Sequence, residues 1–204
     1  MLYKFIKLLF DFLIALLAII ILLPVFVILI LIIRLGSRGP AIFKQSRAGK
    51  NGKPFTLYKF RTMKPDVDPF GPSPKSGQDP RLTKIGIFLR KSSLDELPQL
   101  FNVIKGDMSL VGPRPLYIAQ MAEWNDEQKK RLLVKPGLTG LAQIGGRGGL
   151  TIEQKLALDV EYVQKASLLL DIKIIFWTTL HVLAAKEIYE KRYSQNEETR
   201  KQRN

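Results

Sequence analysis

The sequence predicts a mostly α-helical fold with one small β-hairpin, built on an apolar N-terminal helix. Three observations carry that expectation. No charged residue occurs from Phe12 to Ile33. Two stretches of strand-like alternation, Ala41–Arg47 and Phe55–Met63, are joined by Gly49-Lys50-Asn51-Gly52, whose Asn-Gly pair is a strong hairpin signal. Beyond residue 82 the apolar spacing is helical and does not alternate between strand and helix as a doubly wound sheet requires.

The charge-free run of 22 residues would extend about 33 Å as a helix, enough to cross the hydrocarbon core of a bilayer. Its length and the lack of a small-residue cleavage site argue against a secretory leader. Pro24 sits within it, where the missing N–H removes a hydrogen bond and bends a helix. Both flanks are basic: Lys4 and Lys7 precede the run, and Arg34, Arg38, Lys44 and Arg47 follow it. Because basic flanks favour the cytoplasmic side, both ends are drawn to one face. A spanning helix and a re-entrant helix bent at Pro24 both remain open on these grounds, and either leaves the rest of the chain cytoplasmic.

Pro65–Pro80 holds five prolines and three acidic residues and reads as a surface loop. Helices are expected over Leu82–Lys91, Ser93–Ile104 and Leu116–Leu133, the last with a break near Asn125. Pro136–Gly149 is glycine-rich and reads as irregular. Thr151 and Gln154 have capping-box spacing and should open a helix to Lys165. Ser167–Glu187 is apolar but interrupted by Asp171, Lys173 and His181, which suits a helix at the membrane interface or one in the core. The tail from residue 188 to 204 is polar and charged.

Composition narrows the chemistry. With 32 Lys and Arg against 18 Asp and Glu the formal charge is +14, which favours anionic partners. There is no cysteine and one histidine, His181, so no thiolate nucleophile, disulfide or Cys/His zinc site can be built. Carboxylates, Lys, Arg, hydroxyls, backbone amides or an oxygen-bound metal must serve.

Two constellations could do so. In Ser93-Leu94-Asp95-Glu96-Leu97-Pro98, either Ser93 or Asp95 can act as N-cap, and in both registers two carboxylates lie at a helix start. An ionised carboxylate there can attack phosphorus and its neighbour can hold Mg²⁺; the same residues also describe a well-capped helix and nothing more. In Gly112-Pro113-Arg114-Pro115, prolines stiffen the backbone around an arginine suited to phosphate. Lys59 and Arg61 alternate along a strand and should share a face. Gly145-Gly146-Arg147-Gly148-Gly149 could bring amides close to an anion but matches no standard phosphate loop.

Taken in order, Tyr58-Lys59-Phe60-Arg61-Thr62-Met63, Ser93-Leu94-Asp95-Glu96-Leu97-Pro98-Gln99, Leu100-Phe101-Asn102-Val103, Lys105-Gly106-Asp107-Met108-Ser109, Val111-Gly112-Pro113-Arg114-Pro115 and Lys135-Pro136-Gly137-Leu138-Thr139-Gly140 resemble the bacterial sugar transferases, in particular the small monotopic phosphoglycosyl transferases. The resemblance runs from about Phe5 to Lys186. It implies a re-entrant membrane helix broken at Pro24 within residues 1–36. A cytoplasmic α/β catalytic domain with interfacial amphipathic helices follows over 37–187, on the inner leaflet of a bacterial cytoplasmic membrane. It also implies transfer of a sugar 1-phosphate from a UDP-sugar to polyprenyl phosphate, releasing UMP, as the first membrane step of glycoconjugate synthesis. Asp95 would be the nucleophile and would carry a covalent phosphosugar. Glu96, with Asp95 beside it, would bind Mg²⁺. Lys59, Arg61, Arg90 and Arg114 are the implied phosphate contacts, Arg147 lies in a segment implied to meet nucleotide or sugar, and Asp159 would organise the basic residues.

The chain departs from relatives at Gly145–Ile152 and after Val182, so the sugar and the role of the C-terminal segment stay open, as does a homodimer. Two other classes compete. A membrane-tethered nucleic-acid binder would group its basic residues with exposed aromatics, whereas here they are spread along the chain. A non-catalytic membrane scaffold gives no reason for an acidic pair beside a proline-braced arginine. No nucleic-acid partner is therefore expected.

Overall fold

The computed structural model describes residues 2–67, 74, 77–146 and 149–183. Helix α1, Leu2–Gly36, is a single element that runs through Pro24. Proline removes one ladder bond and does not of itself end a helix held by neighbours on one side. The side chains of α1 that are buried, Asp11, Ala15, Phe26, Leu29 and Ile33, fall on one stripe at spacings of three and four residues or their sums. The remaining faces expose leucine, isoleucine, valine and phenylalanine from Phe5 to Leu35.

Two cores form along that stripe. Ala15 packs with Leu57, Leu100, Val103, Met108, Val111, Tyr162 and Ile174. Further along, Phe26, Leu29 and Ile33 pack with Ala41, Phe60 and Leu89. The Phe26 ring meets those of Phe60 and Phe101, each with centroids 5.6 Å apart. Polar bonds fix both ends. Lys7 Nζ donates to Asp171 Oδ2 at 2.8 Å and Ser109 Oγ to Asp11 Oδ2 at 2.6 Å. At the other end Arg61 donates to Ser37 O and Arg38 O, each at 2.8 Å.

The expected hairpin is present: β1 (Ile42–Ala48) pairs antiparallel with β2 (Pro54–Phe60), and Asn51 and Gly52 take the positive φ of the turn. Helix α2 (Lys84–Lys91) begins at Thr83, whose hydroxyl accepts from Gly86 N. It lies so close to the chain beyond β2 that a Cβ on Gly86 would sit 2.0 Å from Thr62 O.

The helix expected over Ser93–Ile104 is divided, and this corrects the sequence reading. Ser93 adopts a left-handed conformation (φ 58°) with no side-chain cap, Leu94–Glu96 forms one 3₁₀ turn, and α3 starts at Gln99 and ends at Ile104, with Pro98 as N-cap. The capping box fails because cations elsewhere hold the Glu96 carboxylate. Pro98 is tolerated because it precedes the helix, where no intrahelical N–H is required.

A parallel two-stranded sheet was not anticipated: β3 (Ser109–Val111) pairs with β4 (Gly137–Thr139). A Cβ on Gly137 would lie 2.1 Å from Gly112 N, so this close approach requires glycine. Leu116–Leu133 forms short turns rather than one helix, with α4 (Asp126–Lys129) capped by Asn125 at the expected break. Helix α5 (Leu141–Ile144) occupies part of the stretch expected to be irregular. Helix α6 (Ile152–Lys165) has the expected Thr151–Gln154 capping box, and α7 runs from Leu168 to Leu183. Helix α7 turns Asp171 and Ile174 into the core and leaves Leu169, Ile172, Phe176, Trp177 and Leu180 exposed. The polar tail and the helix end expected at Glu187 lie outside the described residues.

Candidate active site

The carboxylate pair sits where the hairpin, α2 and α3 converge. Asn102 is fully buried on α3, accepts from Tyr58 N at 3.1 Å and donates to Thr56 O at 2.7 Å. The amide thus stands in for a neighbouring strand along the edge of β2. That bracing places Lys59 over the 3₁₀ turn, where its Nζ donates to Glu96 Oε1 at 2.9 Å. Arg114, on the Pro-flanked segment after β3, donates to the same oxygen at 2.8 Å. Both cations use Oε1, and Oε2 meets no donor among the described residues.

Asp95 is buried, with 8% of its surface exposed. Burial pushes its carboxyl up to about 6, assisted by the charge on Glu96 and opposed by Lys59, Arg90 and Arg114. Glu96 moves the other way. Burial works against its ionisation, but Arg114 and Lys59 outweigh it and hold the carboxyl well below the usual carboxylate range. The two neighbours are thereby made unequal: a fixed anion in ion pairs, and a carboxyl that titrates just below neutrality.

The other expected residues divide. Arg90 Nε donates to Thr62 Oγ1 at 3.0 Å, and its charge reaches Asp95. Arg61 follows β2, and its guanidinium is turned onto Ser37 and Arg38 rather than onto the carboxylates. It ties the end of α1 to the strand that carries Lys59. Arg147 lies outside the described residues. Asp159 Oδ2 accepts from Arg131 at 3.0 Å (Nε) and 2.7 Å (Nη2), and Arg131 Nη2 also donates to Arg114 O at 2.6 Å. A buried pair thus anchors the backbone of Arg114, with Arg131 also lying over the Trp124 ring at 4.8 Å. Burial pushes the Asp159 carboxyl up, and Arg131 pulls it down.

Arg131 was missed because Lys129, Lys130 and Arg131 are adjacent in sequence and nothing local marks which one turns inward. Asn102 lies within a longer motif, and its function as an edge partner for β2 has no sequence signature.

The donor set suits Mg²⁺ only in part. Among the described residues no three His, Cys, Asp or Glu side chains gather to hold a metal. Mg²⁺, however, commonly takes one or two carboxylates and fills its remaining positions with phosphate and water. Glu96, with Oε2 unengaged, and the adjacent Asp95 fit that pattern.

A helix-rich chain on an apolar helix, with paired carboxylates set among cations, has the features of a membrane-associated site for a phosphate-bearing ligand. The chain belongs to the bacterial sugar transferase family, whose profile matches residues 2–185. It is 49% identical over 161 residues to the uncharacterized sugar transferase EpsL of Bacillus subtilis, covering 79% of each chain. It is 41% identical over 187 residues to the UDP-glucose:undecaprenyl-phosphate glucose-1-phosphate transferase of Escherichia coli, covering 88% of this chain and 40% of that one. It is also 40% identical over 195 residues to the exopolysaccharide production protein ExoY of Sinorhizobium fredii, covering 88% and 86%. The chain therefore spans most of the shorter relatives and less than half of the Escherichia coli enzyme.

Proposed function

We propose that the chain transfers a sugar 1-phosphate from a UDP-sugar to polyprenyl phosphate through a covalent intermediate on Asp95. The observation that carries this reading is the buried Asp95 carboxyl beside a doubly ion-paired Glu96, within reach of the charges of Lys59, Arg90 and Arg114. The names of relatives support the substrate classes: the Escherichia coli and Caulobacter vibrioides proteins are UDP-glucose:undecaprenyl-phosphate glucose-1-phosphate transferases.

In this reading an ionised Asp95 oxygen attacks the β-phosphorus of the UDP-sugar. The bond from that phosphorus to the bridging oxygen breaks, and UMP leaves with the electron pair. An oxygen of polyprenyl phosphate then attacks the phosphorus of the aspartyl phosphosugar. The acyl-phosphate bond breaks, Asp95 is regenerated as a carboxylate, and polyprenyl-diphospho-sugar is released. Lys59 and Arg114 stabilise charge on the transferring phosphoryl group and hold Glu96 ionised. Mg²⁺, held by Glu96 with Asp95 adjacent, would supply Lewis-acid neutralisation of the phosphates.

We read α1 as held in one leaflet, with both ends on the cytoplasmic face and Pro24 as its bend point. The support is the packing of α1 along its length: Lys7 bonds Asp171 near one end, and Ser37, just beyond the other, bonds Arg61. A helix crossing perpendicular to the bilayer would carry the polar hairpin into hydrocarbon. The exposed apolar faces of α1 and α7 then lie toward lipid. Release of UMP from a UDP-sugar that requires both Mg²⁺ and polyprenyl phosphate for full turnover is the direct test. A chain inert toward every UDP-sugar in a panel would count against the reading.

A further inference from the structure

A second group of polar side chains borders the site and is not used by the chemistry above. The hairpin register pairs Phe43 with Lys59, Gln45 with Leu57 and Arg47 with Phe55. Cross-strand partners share a face, so Lys59, Gln45 and Arg47 project to the same side, in a row advancing about 7 Å per step. Ala48 N donates to Leu116 O at 3.0 Å, which sets the end of β1 against the segment carrying Arg114.

Arg47 is held as a rigid group. Its guanidinium carbon lies 3.6 Å from the centroid of the Tyr117 ring, and its Nη2 donates to Gln45 Oε1 at 2.5 Å. Gln45 is 6% exposed, and its Nε2, like Arg47 Nε, is buried without an acceptor. Among the described residues no carboxylate forms an ion pair with Arg47, while Glu96 is taken by Lys59 and Arg114. A braced cation beside buried, unanswered donors points to an acceptor brought by a ligand. Burial lowers the Arg47 pKa; Arg114 adds to that shift and Glu96 opposes it, so Arg47 is an electrostatic neighbour of the cluster.

The order of cations along the hairpin indicates which part of the substrate it meets. Arg47 stands opposite Phe55, Lys59 lies further along β2, and Arg90 bonds Thr62 beyond the end of β2. Arg90 is among the cations acting on Asp95, and Arg47 feels the charge of Glu96. In an in-line displacement the leaving oxygen departs opposite the attacking one, and a braced cation at the far end of this row from Arg90 is suited to receive it.

We propose that Arg47, braced by Tyr117 and Gln45, binds the α-phosphate of the UDP-sugar and hence the UMP that leaves. The assignment rests on the reaction proposed above. The test is UMP binding to the full-length protein by calorimetry, with uridine as the phosphate-free control. A single-turnover measurement of adduct formation from the UDP-sugar runs alongside, to show whether the wild-type protein enters the reaction. Arg47→Ala should weaken UMP binding about 10- to 100-fold, the range of lost charge-assisted hydrogen bonds. Uridine binding should stay within about twofold of wild type. Arg47→Gln and Tyr117→Leu carry the same comparison should Arg47→Ala fail to fold, with the smaller loss in Tyr117→Leu, which keeps the charge. Unchanged UMP affinity in the Arg47 variants, or an equal loss of uridine binding, overturns the assignment alone. A wild-type protein that binds no UMP and forms no adduct overturns the reaction as well.

Discussion

Lys59 on β2 and Glu96 in the turn before α3 meet at 2.9 Å through Oε1, the oxygen that Arg114 also reaches at 2.8 Å. Two cations on one oxygen hold the carboxylate ionised, and the proposed Mg²⁺ would take its second oxygen. Glu96→Gln should therefore lower turnover by about 100-fold or more, in the range seen on removing one electrostatic contact to a transition state. The Mg²⁺ concentration giving half-maximal activity should rise with it. Activity measured across a Mg²⁺ titration decides the matter, and an unshifted titration would remove Glu96 from the metal site.

Asp95 has its carboxyl raised from 3.8 to about 6 by burial, and the proposed chemistry needs it ionised. The first half-reaction should therefore show an acid limb with a midpoint near pH 6, falling tenfold per unit below it. Stability carries the opposite sign. A carboxyl with a raised folded-state pKa binds its proton more tightly when folded, so the folded state loses stability as pH rises from about 4 to about 6. Asp95→Asn should consequently abolish transfer while raising stability above pH 6 by on the order of 3 kcal/mol, and by much less at pH 4. Thermal melts of both proteins at the two pH values check this.

Asp159 and Arg131 form a buried pair that holds the backbone of Arg114. Asp159→Asn leaves Arg131 buried with its charge uncompensated and should cost about 3–5 kcal/mol. Replacing both residues together, Asp159→Leu with Arg131→Met, should recover much of that stability without recovering activity, because the bond to Arg114 O is still missing. Denaturant unfolding and turnover, measured side by side, separate the two effects. Full activity in the double variant would reduce the pair to a packing element.

These residues also mark how far the sequence could be read. The hairpin, the α6 cap and the break at Asn125 were legible because turn and cap residues act locally. The carboxylate pair and Arg114 were legible as motifs. Ser93 was misread: its capping-box spacing is genuine, but Lys59 and Arg114, 37 and 18 residues away, claim Glu96. Arg61 has the strand parity of Lys59, yet its guanidinium reaches back to Ser37 because β2 ends at Phe60. The β3–β4 pair escaped notice because three-residue strands carry too little alternation to register.

Helix α1 provides a topological prediction. The native chain has no cysteine, so single probes report without background. Lys4→Cys and Arg38→Cys, both at exposed side chains, should label with a membrane-impermeant reagent from the cytoplasmic side only. Labelling of the two positions from opposite sides would restore a spanning helix.

The central claim is that Asp95 becomes covalently bonded to a phosphosugar. Intact-mass measurement of the full-length protein after incubation with a UDP-sugar and Mg²⁺, without polyprenyl phosphate, tests it most directly. The account predicts a mass increase equal to one sugar phosphate, located to Asp95 by peptide fragmentation, absent from Asp95→Asn and discharged by polyprenyl phosphate. Steady turnover by Asp95→Asn, or wild-type turnover with no adduct at any time point, would contradict it.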